Sequence, residues 1–179
     1  MFEVHGWKFC ARTGTPNIEQ PTPNIEHRTL NVEPVEHEAY MRMAIAEARR
    51  AQAEGNFACG AAIVRGGRLV AAGRNQVISS RDPTAHAEVT ALRAAAAALG
   101  TRDLSGATLY ATLEPCPMCA AAAVWARVAR VVCGAPDRRF GRPAATVFGM
   151  MAGLHRVEFV EGVLAAECAA LAPEVTGFE

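Results

Sequence analysis

The chain is short of lysine, aromatic residues and cysteine, and each shortage narrows what it does. Of its 18 basic residues only Lys8 is a lysine, and 18 acidic residues bring the formal charge to zero with a pI near 7. A neutral chain has no global attraction to nucleic acid, so such a partner would have to use a local basic patch. Six cysteines among 179 residues are too few for a disulfide scaffold. No apolar run approaches the ~18 residues of a membrane-spanning helix, so no membrane partner is expected. The opening MFEVHGWKFCARTG lacks the charged start, apolar middle and small-residue cleavage site of a secretory signal. A reducing cytoplasm is the expected compartment.

What is present is enough apolar material, 51% of the residues, for one substantial core. It is unevenly placed. Residues 15–35 hold a heptapeptide repeat, TPNIEQP, TPNIEHR and TLNVEPV. Pro16, Pro21, Pro23 and Pro34 forbid a continuous helix, and each unit offers one or two branched apolar residues. The expectation is an extended tail over 1–35 with no legible function, and a single domain over 36–179.

Within the domain, Ala39, Met43, Ala46 and Ala53, with Tyr40, Ile45 and Ala48 beside them, recur at helical spacing up to Gly55. Ala61–Val64 and Leu69–Ala72 flank Gly66-Gly67, a hairpin signal because primed turns need positive φ. Asp82-Pro83-Thr84 predicts the cap of a helix from Ala85 to Leu99, ended by Gly100. Then follow a strand at 108–113, a helix at 116–127, a strand at 128–133, a Gly/Pro/Arg-rich loop at 134–145, a strand at 156–160 and a helix at 164–171. Alternating strands and helices predict an α/β fold, a three-layer α/β/α sandwich around a mixed sheet of about five strands.

The chemistry concentrates in His86-Ala87-Glu88 and Pro115-Cys116-Pro117-Met118-Cys119. One imidazole and two thiolates are three zinc ligands with the fourth position left for water, the arrangement of a catalytic rather than a structural zinc. Cys116 and Cys119, three residues apart at a helix start, put both sulfurs on one side of the first turn. Zinc lowers the pKa of its water toward ~7, while two thiolates work against that acidity. A carboxylate beside the site, Glu88, compensates by accepting the proton and delivering it to the leaving group. Two residues along a helix is a rotation of about 200°, so Glu88 is expected off the metal. Cys-x-x-Cys also suits a redox pair or a structural site completed by Cys59 or Cys133, and a non-catalytic zinc scaffold remains an alternative.

These motifs, in DPTAHAEVTALR (82–93) and TLEPCPMCAAAAVWARV (112–128), resemble the cytidine deaminase-type zinc deaminases, whose H-x-E…P-C-x-x-C pattern is a general signature of the class. The resemblance spans about 38–172. It implies a hydrolase releasing ammonia from a nucleobase ring, one zinc per chain on His86, Cys116 and Cys119, and Glu88 as proton shuttle. Two branches are similar. Guanine-type and nucleoside deaminases resemble the chain through SSRDPTAHAEVTALR, LGTRDLSGATLY and WAR. tRNA adenosine deaminases resemble it through TLEPC, GAPD (134–137), HRVEF (155–159) and GVLAAECAAL (162–171). Both imply a base contact from Asn75 and a pocket wall from the backbone around Gly60, Ala61 and Ala62. Phe57-Ala58-Cys59 departs from the usual pattern ahead of that wall.

The tRNA branch usually ends in a basic, aromatic helix, whereas this chain ends LAPEVTGFE; phosphate contacts dominate nucleic-acid affinity, so this favours a free base or nucleoside. Arg138, Arg139 and Arg142 argue the other way, since they cluster in the loop where the tRNA enzymes meet RNA. The resemblance also implies a homodimer. Deleting residues 1–35 is expected to leave ammonia release unchanged; a large loss would give the repeat a role in the reaction.

Overall fold

The computed structural model describes residues 34–137 and 141–171. The predicted tail lies outside them, except that Pro34 and Val35 already belong to the first helix. In chain order the elements are α1 (Pro34–Ala53), β1 (Gly60–Arg65), β2 (Arg68–Arg74), α2 (Val77–Ser80), α3 (Ala87–Leu99), β3 (Ala107–Leu113), α4 (Pro117–Trp125), β4 (Arg130–Ala135), α5 (Pro143–Met150), β5 (Glu158–Val160) and α6 (Ala165–Ala169).

Five strands form one sheet in the order β2-β1-β3-β4-β5. The β1–β2 hairpin and the β1–β3 pair are antiparallel; β3–β4 and β4–β5 are parallel. Gly66 (φ 58°) and Gly67 (φ 73°) make the hairpin turn, a left-handed pair that residues with a Cβ rarely adopt. Side chains alternate between the faces as a pleated strand requires. Ala61, Ile63, Leu109 and Val131 face a core shared with α3, α4 and α5. Ala62, Val64, Tyr110 and Val132 face the core under α1 and α6. The molecule is the expected three-layer α/β/α sandwich.

The face that α1 buries differs from the expectation. Ala39, Met43, Ala46 and Ala53 are exposed, whereas Met41, Ala44, Ile45, Ala48 and Ala51 are buried. A helix with alanine all round carries little directional pattern, and the choice falls to tertiary contact. Gly60 decides it. A Cβ there would collide with the Ala44 carbonyl and the Ala48 amide, so α1 lies on β1 backbone to backbone.

Other differences have local causes. Arg127 takes a left-handed turn (φ 61°), so β4 starts at Arg130 rather than Val128. α5 falls partly in the expected loop, with Pro143 at its start, where the missing N–H and fixed φ do no harm. Asp82-Pro83-Thr84 does not cap α3. Asp82 instead accepts the Thr84 amide and hydroxyl in a turn of its own, and the helix cap is His86.

The second close approach involves Gly73 of β2, where a Cβ would strike the Ala91 amide and the Ala87 carbonyl of α3. Helix and strand there are separated by backbone alone, so nothing flexible can yield. Gly73→Ala should cost about 1–3 kcal/mol of stability, the usual penalty for overpacking, with a lower urea midpoint and an unchanged slope.

Candidate active site

Two helix starts meet at the C-terminal end of the central strand β3. His86 caps α3 with extended backbone (φ −67°, ψ 153°), and Cys116 caps α4 in nearly the same conformation (φ −63°, ψ 169°). Neither cap residue bonds its helix through its side chain, which leaves both side chains for each other. Pro117 follows at the first position of α4, and Cys119 lies one turn in, fully buried.

His86 Nδ1 lies 3.6 Å from the sulfur of Cys116 and 3.6 Å from that of Cys119, and the two sulfurs are 3.6 Å apart. A tetrahedral zinc, about 2.3 Å from sulfur and about 2.0 Å from nitrogen, separates its donors by about 3.5–3.8 Å. The triangle fits the ion. Among the described residues no fourth His, Cys, Asp or Glu joins the group, so neither Cys59 nor Cys133 completes a closed structural site. The ring nitrogen that faces the sulfurs is Nδ1, a choice the sequence does not reveal.

The electrostatics suit a dication. Cys116 is held as a thiolate, its pKa brought down to about 4 by the Cys119 thiol and the His86 ring against the opposing effect of burial. The Cys119 thiol is pushed upward by that same neighbour and by burial. Without a cation only one proton leaves the pair easily; a cation relieves the repulsion.

Glu88 is buried beside the sulfurs but stays out of the donor triangle. Burial raises its carboxyl above the ordinary range, its own backbone N–H opposes this, and the charge of Cys116 adds to the rise. The argument from helical rotation does not apply, because His86 is a cap in extended backbone rather than a helical residue. The carboxylate therefore sits closer to the sulfurs than a 200° separation suggests.

Asn75 is buried at the end of β2. Its backbone N–H donates to the Cys59 carbonyl, and the next residue, Gln76, donates to the Ala85 carbonyl, one residue from His86. Gly60 donates to Thr112 Oγ1. Ala61 and Ala62, expected with Gly60 at the pocket wall, are fully buried in the sheet with their side chains in opposite cores. Arg138 and Arg139 lie outside the described residues, and Arg142 is exposed and paired with Glu161.

Sequence reading passed over Glu114 and Asn56. Glu114 is buried, and its two oxygens accept the amides of Ala144 (3.2 Å) and Asp137 (3.4 Å), tying the start of α5 to the strand that leads into Cys116. A carboxylate between Leu113 and Pro115, at the end of an apolar strand, was a legible sign of a buried acceptor. Asn56 had no such sign.

Residues 34–135 match the family model described as the cytidine and deoxycytidylate deaminase zinc-binding region. The chain belongs to this deaminase family. Zinc on a three-donor site and the hydrolase class expected from sequence follow from that membership. A tRNA-specific adenosine deaminase of Bacillus subtilis is 43% identical over 134 residues, 73% of this chain and 83% of the relative. A guanine deaminase of the same bacterium is 47% identical over 94 residues, 51% of this chain and 59% of the relative. Among solved structures, a tRNA:A34 deaminase studied for A-to-I editing at the wobble position superposes with a TM-score of 0.69 at 37% identity, covering 74% of this chain and 98% of that one. A guanine deaminase from Nitrosomonas europaea gives a TM-score of 0.66 at 32% identity, covering 75% and 81%.

Metal analysis of the deaminase domain should find about one zinc per chain. Cys116→Ala and His86→Ala should each abolish tight binding, since two donors remain. Glu88→Ala should keep the metal; a zinc-free Glu88→Ala protein would make the carboxylate a ligand.

Proposed function

We propose that the protein hydrolyses the amino group of adenosine in tRNA at the first anticodon position, giving inosine and ammonia. The chemistry rests on the 3.6 Å triangle with Glu88 beside it and outside it. The substrate rests on the breadth of the likeness to the tRNA enzymes, 83% of one relative and 98% of one solved chain. The expected preference for a guanine-type free base has no specific support beside these matches.

Zinc, when bound, makes a water acidic enough to attack a ring carbon near neutral pH. Glu88 takes one proton of the attacking water and delivers it to the ring nitrogen; it then takes the second from the oxygen now bonded to the ring carbon and delivers it to the amino group, which leaves as ammonia. Burial suits it to the first half, because a carboxylate whose pKa is raised above the ordinary range is the stronger base and takes the proton of water more readily than an exposed one. Asn75 donates to an acceptor on the base and holds the reacting carbon over the triangle.

A second reading is deamination of a free purine such as guanine. The 47% identity to the guanine deaminase favours it, and purines share the ring acceptors that Asn75 would address.

The assembly we propose is a homodimer in the cytoplasm. Trp125 and Leu154 line one groove and are 69% and 62% exposed, apolar area of the kind a partner copy covers. No helix among the described residues is long and apolar enough to cross a membrane.

One panel tests the substrate: ammonia release from tRNA bearing A34, guanine, guanosine, cytosine and adenine. The expected result is turnover of tRNA with adenosine read as guanosine after reverse transcription; turnover of guanine alone would overturn it in favour of the second reading. Glu88→Ala should lose about 10²–10⁴-fold in rate with zinc retained.

A further inference from the structure

Asn56 lies 19 positions before Asn75 in the chain, yet the two asparagines serve one four-residue helix. That helix, α2, has no side-chain cap from its own N-cap residue, Gln76. Its first amides are met from elsewhere. Val77 N–H donates to Asn75 Oδ1 at 3.1 Å. Ile78 and Ser79 both donate to Asn56 Oδ1, at 3.1 and 3.0 Å, and Asn56 Nδ2 donates to Ser79 Oγ at 3.0 Å. Asn56 is itself fixed, since it is buried and its backbone N–H closes the end of α1 on the Ala51 carbonyl.

The donors settle which way each amide faces. An N–H cannot bond an NH2 group, so the atom of Asn56 that receives two amides is oxygen, and so is the atom of Asn75 that receives Val77. With its oxygen taken, Asn75 has only its NH2 group left to offer. No described residue accepts from that group, although Asn75 is 4% exposed. Among the described residues only Arg130 Nε is a buried side-chain nitrogen or oxygen without a partner, so the Asn75 NH2 group is reached by solvent and open to a ligand acceptor.

We infer that Asn56 is a positioning residue for base recognition: it holds α2 from outside so that Asn75 presents an N–H donor, and never its carbonyl, to a ring acceptor of the base. The inference rests on the reading that Asn75 contacts the base. It adds a rule of selection, because a base with a donor at that point would meet a donor. Asn56 touches neither substrate nor metal ligands and acts through α2 and Asn75 alone.

A double-mutant cycle tests this on the full chain. The substrate is A34 tRNA or, if that is not turned over, whichever free base of the panel is; silence on tRNA refutes the tRNA reading and leaves the cycle intact. Asn56→Ala should raise KM about 3- to 10-fold with kcat and zinc content nearly unchanged, the size of one or two lost hydrogen bonds. Asn56→Asp should restore KM, since a carboxylate accepts both amides and the Ser79 hydroxyl can donate to it. In the Asn75→Ala background, Asn56→Ala should add less than about 2-fold, because the two act in series.

Independent effects that multiply would overturn the proposal, as would an Asn56→Asp protein as impaired as Asn56→Ala. An Asn56→Ala protein that loses zinc or fails to fold makes the residue a stability element and overturns it too. Wild-type enzyme should also discriminate against either the 3-deaza or the 7-deaza purine analogue, each lacking one ring acceptor, and Asn75→Ala should lose that discrimination. Equal turnover of both analogues by wild type would remove the donor rule.

Discussion

Two helices that begin 30 residues apart have to start at the same point in space, and everything else in the molecule serves that requirement. The triangle of donors is 3.6 Å on each side, and a shift of one helix by an ångström would break it. α3 is fixed by direct backbone contact with β2 at Gly73. α4 is fixed by continuity with β3, whose ladders to β1 and β4 put it at the centre of the sheet. Glu114 then ties the loop into Cys116 to the start of α5. The donor triangle is thus held in place by elements that supply none of its donors.

The site divides its labour between helix ends and loops. The metal donors sit at the starts of α3 and α4, on the cap residues His86 and Cys116 and on the buried Cys119 one turn into α4. The junctions where β2 gives way to α2 and where α1 turns into β1 are stabilised by side-chain bonds of Asn56 and Asn75 rather than by a ladder. The first group makes the reaction class common to tRNA and guanine enzymes.

This division explains what was legible in the sequence. His86, Cys116 and Cys119 could be read because a metal demands particular atoms at particular spacing. The hairpin at Gly66-Gly67 could be read because positive φ demands glycine. α2 could not, because its four residues, with branched Val77 and Ile78 at the front, owe their helix to an asparagine remote in sequence. The buried face of α1 was hidden for a related reason: alanine on every side leaves the decision to Gly60 on another element. His86 as a cap was masked by Asp82 and Thr84, residues with better capping chemistry that bond to each other instead.

The backbone contacts at Gly60 and Gly73, with alanines facing them, set how this protein can change over time. A glycine cannot lose a side chain, and at these positions it cannot gain one either. Mutation in the layer between strand and helix therefore has almost no neutral room. A scaffold frozen in this way leaves its room for change to the connections around the fixed helix starts rather than to the layers themselves.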